Sequence, residues 1–226
     1  MMKALLFDID GTLVNSHGLG RRAFEDAILN VTGIPVDMST VDWYGRTDYD
    51  IVAKLLEEKN ISSGMEEKIN SIFKNFVIHF RDYAEKYSNA ISVFPGVKDL
   101  LEALSSRCIG LVTGNVMEAA YIKLEKAGIK NFFPYGIGGF GNEKRERHLL
   151  VPIALERMKK YYECKDFSDV FIIGDSPRDI ECAKKNNAKS LIVATGRMNK
   201  DELAQYKPDY IFSSFEEKEK IMNILN

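Results

Sequence analysis

Four short runs of nearly unbroken apolar residues punctuate the chain, at 3–8, 107–113, 170–174 and 190–194. They lack polar alternation, which is the pattern of strands covered on both faces. A shorter run at 209–212 adds an edge strand. Between these runs, segments near 96–105, 116–127, 149–161, 177–186 and 215–224 carry apolar residues at helical spacing. Strands alternating with helices predict a parallel sheet joined by right-handed crossovers. Pro95-Gly96 and Ser176-Pro177 set proline beside helix starts, where its missing N–H costs least.

Residues 16–88 break that rhythm. Helical patterns cover about 19–31, 47–58 and 65–87, with no convincing strand among them. In the last, Ile69, Ile72, Phe73, Phe76, Val77 and Phe80 recur at spacings of three and four, one apolar face of a long helix. So long an all-helical stretch exceeds an ordinary crossover. It predicts a helical insert at 16–88, and an α/β core formed by 1–15 and 89–226.

Composition narrows the class. The chain has 226 residues, with 31 Lys and Arg against 33 Asp and Glu, a net charge of −2. Without a basic excess or stripe, a nucleic-acid partner is not expected. At 45% hydrophobic and 28% charged residues, the chain is ordinary for a folded globule. The three cysteines, Cys108, Cys164 and Cys182, are far apart and form no C-x-x-C, which fits a reducing cytoplasm. The N-terminal apolar run stops at Asp8, too soon for a secretory signal, and no run is long enough to span a membrane. The sequons at Asn30 and Asn60 are read as chance matches.

Polar clusters sit just past the ends of the predicted strands, the edge where open parallel sheets bind ligands. Asp8 closes the first strand. Asp10 lies two residues on, so a period of two sends both carboxylates the same way, and Gly11 allows a sharp turn. Thr113-Gly114-Asn115 follows the second strand, offering a hydroxyl and helix N-terminal amides. Asp175 follows the third, with Asp179 one turn into the next helix. A basic run, Lys144-Arg145-Glu146-Arg147, precedes the helix beginning near 149. Taken together, Asp8, Asp10, Asp175 and Asp179 are expected to converge. Four like charges in one crevice call for a hard divalent cation, and Mg²⁺ is usual where phosphate also binds. With a hydroxyl, amides and a basic side chain facing the same point, the set suits an incoming phosphoryl group.

These residues resemble the motifs of the haloacid dehalogenase-like hydrolase superfamily, along essentially the whole chain. Asp8-Ile-Asp10-Gly11-Thr12-Leu13-Val14 resembles its first motif, Thr113-Gly114-Asn115 its second and Gly174-Asp175-Ser176-Pro177-Arg178-Asp179 its fourth. The insert is similar to the helical cap of the phosphoglycolate phosphatase and β-phosphoglucomutase branches. The resemblance implies a Rossmann-like parallel-sheet core with a small α-helical cap domain. It makes Asp8 the nucleophile that forms an aspartyl-phosphate, and Asp10 the general acid and then base. Mg²⁺ falls to the Asp8 carboxylate, the Asp10 carbonyl and Asp175, with Asp179 in support, and Thr113, Gly114, Asn115 and a basic residue fall to the phosphate. The third motif departs from the family's Lys-Pro-x-Pro-like stretch. Alignment on Val151-Pro152-Ile153-Ala154 selects Arg147, with Lys144 and Arg145 as alternatives. Dehalogenase members lack an acid at the Asp10 position, so Asp10 favours phosphoryl transfer.

The implied activity is Mg²⁺-dependent hydrolysis of a small phosphorylated metabolite, with phosphoglycolate as the leading substrate and a monomer or homodimer as the assembly. A sugar-phosphate mutase and a non-catalytic phosphate-binding regulator are the alternatives. By the same resemblance, Arg46 and Thr47 sit where cap residues face substrate. Gly136-Ile-Gly138-Gly139-Phe140-Gly141 matches G-x-G-x-x-G, but a charged segment follows instead of a helix start, and it reads as a flexible approach to the site. His17 reads as a loop or cap histidine near the first motif, and Trp43 as packing within the insert.

Overall fold

The computed structural model describes residues 2–87 and 89–226. Met1 and Ser88, outer bounds of the expected core and insert, lie outside them.

The strands are β1 (Lys3–Phe7), β2 (Val14–Asn15), β3 (Ser92–Val93), β4 (Cys108–Val112), β5 (Gly138–Gly139), β6 (Asp169–Gly174), β7 (Lys189–Val193) and β8 (Tyr210–Phe212). The helices are α1 (Leu19–Thr32), α2 (Asp48–Glu58), α3 (Met65–Lys86), α4 (Val97–Ala103), α5 (Met117–Lys126), α6 (Leu150–Tyr161), α7 (Pro177–Lys185), α8 (Lys200–Ala204) and α9 (Lys218–Leu225). Six strands form one sheet in the order β5-β4-β1-β6-β7-β8, and every pairing is parallel. This is a Rossmann-like α/β fold.

Side-chain alternation explains the unbroken apolar runs. Leu5, Phe7, Ile109, Leu111, Phe171 and Ile173 face one hydrophobic cluster, shared with α4, α5 and α9. Ala4, Leu6, Cys108, Val112 and Ile172 face another, under Leu150, Val151, Ala154 and Met158 of α6. Because both faces are covered, neither set of alternate positions is polar.

Helices α1, α2 and α3 lie between β1 and the rest of the sheet in chain order, as the hydropathy pattern requires. Phe24 stacks on Phe76 at 3.7 Å between ring centroids, and Trp43 tilts against Phe24 at 5.5 Å. The hydrophobic cluster joining these helices continues into β1 and α5. At the neck, β2 and β3 pair antiparallel, Val14 with Val93 and Asn15 with Ser92. Two residues per strand are too few to show alternation in a sequence.

The glycine run is a correction. Gly138 and Gly139 form the edge strand β5 rather than a flexible approach. A Cβ at Gly138 would crowd Leu111, and one at Gly139 would run into Leu150. Glycine is needed there because the strand, β4 and α6 pack closely. Helix α8, too short for a periodic signal, starts from a capping box of Asn199 and Glu202.

Candidate active site

Strands β4, β1 and β6 are neighbours, so the residues beyond their C-terminal ends share one crevice. The backbone N–H of Asp8 donates to Ile173 O at 2.9 Å, extending the β1–β6 ladder by one rung and fixing the side chain at its mouth. Gly11, at φ +81°, then turns the chain. This brings Thr12 back, and its hydroxyl donates to Asp175 Oδ1 at 2.9 Å. A Cβ at Gly11 or Gly196 would overlap the Asp175 carboxylate. Asp179 closes a capping box with Ser176 at the start of α7, the interaction that fixes its side chain.

Arg147 joins these acids. Its Nη2 lies 3.0 Å from Asp8 Oδ2 and 2.7 Å from Asp179 Oδ1. Side-chain oxygens of Asp8, Asp175 and Asp179 all lie within 4.8 Å of one another. Burial, helped by Asp179, pushes the Asp8 carboxyl up to about 6 despite Arg147. Burial and the charges of Asp179 and Asp8 push Asp175 well above the ordinary carboxylate value. Asp175 Oδ2 is buried and has no hydrogen-bond partner among the described residues. Three buried carboxylates facing one arginine leave a negative excess, and an orphaned oxygen sits within it. That donor set fits a hard divalent cation.

Asp10 reaches the crevice differently from the even alternation expected. The strand ends at Phe7, and the period of two ends with it. The Asp10 carboxylate turns to Lys123 Nζ at 2.5 Å, Asn115 Nδ2 at 2.8 Å and the Ser16 hydroxyl at 2.9 Å. Burial works to raise its pKa, but the Lys123 ammonium and these hydrogen bonds outweigh it and hold the group below its usual range. Three aspartates therefore gather around Arg147, and the fourth forms a separate pair with Lys123. That lysine was not singled out in the sequence. It is 4% exposed, donates to Asn115 Oδ1 at 2.6 Å and lies 5.5 Å from the Phe80 ring centroid. Its signal was its place on the buried face of α5, three and four residues after Ala120 and Ala119.

The insert is tied to this edge by its backbone. The N–H groups of Asp48 and Tyr49 donate to Gly114 O at 2.7 Å and Gly141 O at 2.9 Å. The Asp48 carboxylate accepts from Val116 N at 2.7 Å, and Tyr44 Oη donates to Asp175 O at 2.6 Å. Burial pushes Asp48 up to about 7. A Cβ at Gly114 would overlap the Arg46 carbonyl, so glycine there lets the insert approach.

Three residues expected at the substrate already have partners within the protein. Thr47 is buried as the N-cap of α2, accepting from Asp50 N and donating to Arg145 O at 2.6 Å. Arg46 pairs with Asp50 at 2.5 Å and Asp42 at 3.4 Å, acids that it shares with Arg145 and Arg178. Thr113 is fully buried, and its hydroxyl accepts from Asn115 Nδ2 at 2.8 Å, setting it behind Asn115. Arg145 grips Asp50 and Glu57 of α2, which leaves Arg147 as the basic residue of its run that meets Asp8.

A cavity of about 370 Å³ opens over these groups, lined by Asp8, Asp10, Gly114, Asn115, Lys123, Arg147 and Asp175. His17 also lines it, as do Trp43 and Arg46 from the insert. Trp43 thus does more than pack inside the insert.

Residues 5–193 match the sequence model of the haloacid dehalogenase-like hydrolase family. The chain belongs to that family. The haloacid dehalogenase-like assignment holds along nearly its whole length. It is 26% identical to a phosphoglycolate phosphatase of Vibrio parahaemolyticus, covering 96% of this chain and 94% of the relative. It is 24% identical to the pyrophosphatase PpaX of Oceanobacillus iheyensis, with the same coverage. The crystal structure of a sequence-predicted phosphoglycolate phosphatase from Haemophilus somnus superposes with a TM-score of 0.68 at 24% identity, over 98% of each chain. That likeness shows the shared fold. This haloacid dehalogenase-like chain is therefore an enzyme of the hydrolase class. Among its described residues no helix is long and apolar enough to cross a membrane.

Proposed function

We propose that the chain is a Mg²⁺-dependent phosphatase that hydrolyses small phosphomonoesters through an aspartyl-phosphate on Asp8. The observation that carries this reading is the position of Asp8 on the cavity floor, 3.0 Å from Arg147 and beside an unpartnered Asp175 oxygen. The phosphatase names of the relatives support it.

An Asp8 carboxylate oxygen attacks phosphorus in line, and the bond to the leaving oxygen breaks. The leaving oxygen takes a proton that Lys123 Nζ passes through the Asp10 carboxylate it donates to, so the pair acts as the acid, and the proton Asp10 later takes from water restores the ammonium. In the second half, Asp10 takes a proton from water as the water attacks the acyl phosphate, releasing inorganic phosphate and regenerating Asp8. The Lys123 ammonium favours the ionised form of Asp10, which suits this base role. Arg147 holds Asp8 in line and offsets its charge, while Gly114 and Asn115 at the start of α5 face the phosphoryl oxygens. Asp8, the Asp10 carbonyl and Asp175 would hold Mg²⁺, with Asp179 fixed beside them through Arg147 and Ser176. When bound, the ion supplies positive charge that offsets the carboxylates and the incoming phosphate. Helices α1–α3 act as a cap that keeps bulk water from the acyl phosphate.

A screen of phosphorylated metabolites with and without Mg²⁺, scored for free phosphate and for isomerised product, tests this reading. Mg²⁺-dependent phosphate release is expected. No release from any compound would overturn it, and isomer in place of phosphate would assign a mutase.

A further inference from the structure

The catalytic groups occupy only part of the cavity. Its lining also includes an apolar wall drawn mostly from the insert, Val14, Phe24, Trp43, Ile51, Phe76 and Phe94, with Arg21 and Arg46 beside it. Phe24 and Phe76 are each 1% exposed and back the wall. Trp43 is half-buried, and its indole N–H is taken by Met38 O at 2.9 Å, so what it offers the cavity is apolar ring surface. Beside this wall, at the start of α1, two glycines flank the cavity, next to Arg21. Gly18 and Gly20 line the cavity, and a Cβ built on either meets no atom within 4 Å. Gly20 has an ordinary helical backbone, so conformation does not require glycine there. Its lack of a side chain leaves room.

Space and lining point to the same class of substrate. At about 370 Å³ the cavity lies in the range, roughly 300–1,000 Å³, that encloses ligands with ring systems. A two-carbon leaving group such as glycolate is too small to fill a cavity of about 370 Å³. Apolar surface left wet inside a closed site contributes nothing to binding, whereas a ring laid on it removes both surfaces from water.

We infer that the preferred substrate is a phosphomonoester whose leaving group carries a ring, seated with its apolar face against Trp43 in the space left by Gly20. This rests on the phosphatase reading above and names the substrate class of that site. Sugar phosphates and nucleoside monophosphates share this chemistry, a phosphate on a ring-bearing group with an apolar face.

The test compares kcat/KM for a hexose phosphate, a nucleoside 5′-monophosphate and phosphoglycolate, in the native protein and in Gly20→Leu. The added side chain meets open space, so the variant is expected to fold, and its thermal unfolding is measured alongside. The native protein should favour at least one ring compound over phosphoglycolate by about tenfold or more. Gly20→Leu should lower that kcat/KM about tenfold or more and leave phosphoglycolate within about twofold. The preferred ring compound identifies the source, sugar or nucleoside. Phosphoglycolate turned over as well as both ring compounds, or an equal loss on all three in Gly20→Leu, would overturn the inference alone. Turnover of none of the three, nor of any other phosphomonoester, would overturn the phosphatase reading with it.

Discussion

One Arg147 nitrogen, Nη2, serves two aspartates, lying 3.0 Å from Asp8 and 2.7 Å from Asp179. All three side chains are buried. The guanidinium is thus a structural counter-ion as well as a neighbour of the proposed nucleophile. Arg147→Met leaves buried carboxylates without their cation, and should destabilise the metal-free protein by about 3–5 kcal/mol. Arg147→Lys keeps the charge but loses the planar fork, and should cost less. Urea unfolding of the two variants checks the order.

Lys123, which is buried, pairs with Asp10, whose side chain is 38% exposed. Lys123→Met should be destabilising, because Asp10 loses its cation, with water at the exposed part of the carboxylate limiting the loss. Adding Asp10→Asn should recover part of that loss, giving a coupling of about 1 kcal/mol in a double-mutant cycle. Additive losses would mean that the 2.5 Å contact contributes little.

Asp48 carries a pH signature. Its carboxyl rises from 3.8 to about 7 on folding, because burial disfavours the charge. The folded state therefore binds more protons than the unfolded state between those values, and stability falls as pH rises through that window. Asp8, raised to about 6, adds to the same slope. Asp48→Asn keeps an acceptor for Val116 N and removes the charge. It should raise the melting temperature at pH 8, leave it nearly unchanged at pH 4, and so flatten the pH dependence.

The acidic cluster predicts a response to metal that does not depend on turnover. Mg²⁺ binding the native state raises the melting temperature by mass action. Asp175→Asn should abolish most of that rise and also stabilise the metal-free protein, since it removes one like charge from Asp8 and Asp179. Thermal melts across a Mg²⁺ titration show both effects.

The legible part of this protein was what backbone periodicity governs. The doubly covered strands could be read from their apolar runs, and Asp8 and Asp175 stand out because a carboxylate ends each run. The long helix α3 of the insert is visible through Ile69, Phe73, Phe76 and Phe80. Arg147 stands out through its place before the helix at 151–154, not through its charge, which Lys144 and Arg145 share. Lys123 and Asp48 stayed hidden because each looks like an ordinary polar residue of an amphipathic helix. Their burial is decided by tertiary approach, α5 beneath Phe80 and α2 against Gly114. The fate of Arg46 and Thr47 was set the same way. Asp50 and the Arg145 carbonyl claim them, and neither partner is predictable from local spacing. The direction of Asp10 turned on where the strand stops, a matter of one or two residues at its end.

The central claim is that Asp8 carries the phosphoryl group, and the most direct measurement is turnover and trapping with Asp8→Asn. The side chain stays nearly isosteric, and losing a charge beside Asp179 keeps the fold intact, which circular dichroism verifies. With Mg²⁺ and p-nitrophenyl phosphate, the account predicts that turnover falls by about a thousandfold or more. It also predicts that acid-quenched native enzyme yields a phosphorylated peptide containing Asp8 and that the variant yields none. An Asp8→Asn protein with full turnover, or a phosphoryl group trapped on another residue, would contradict it.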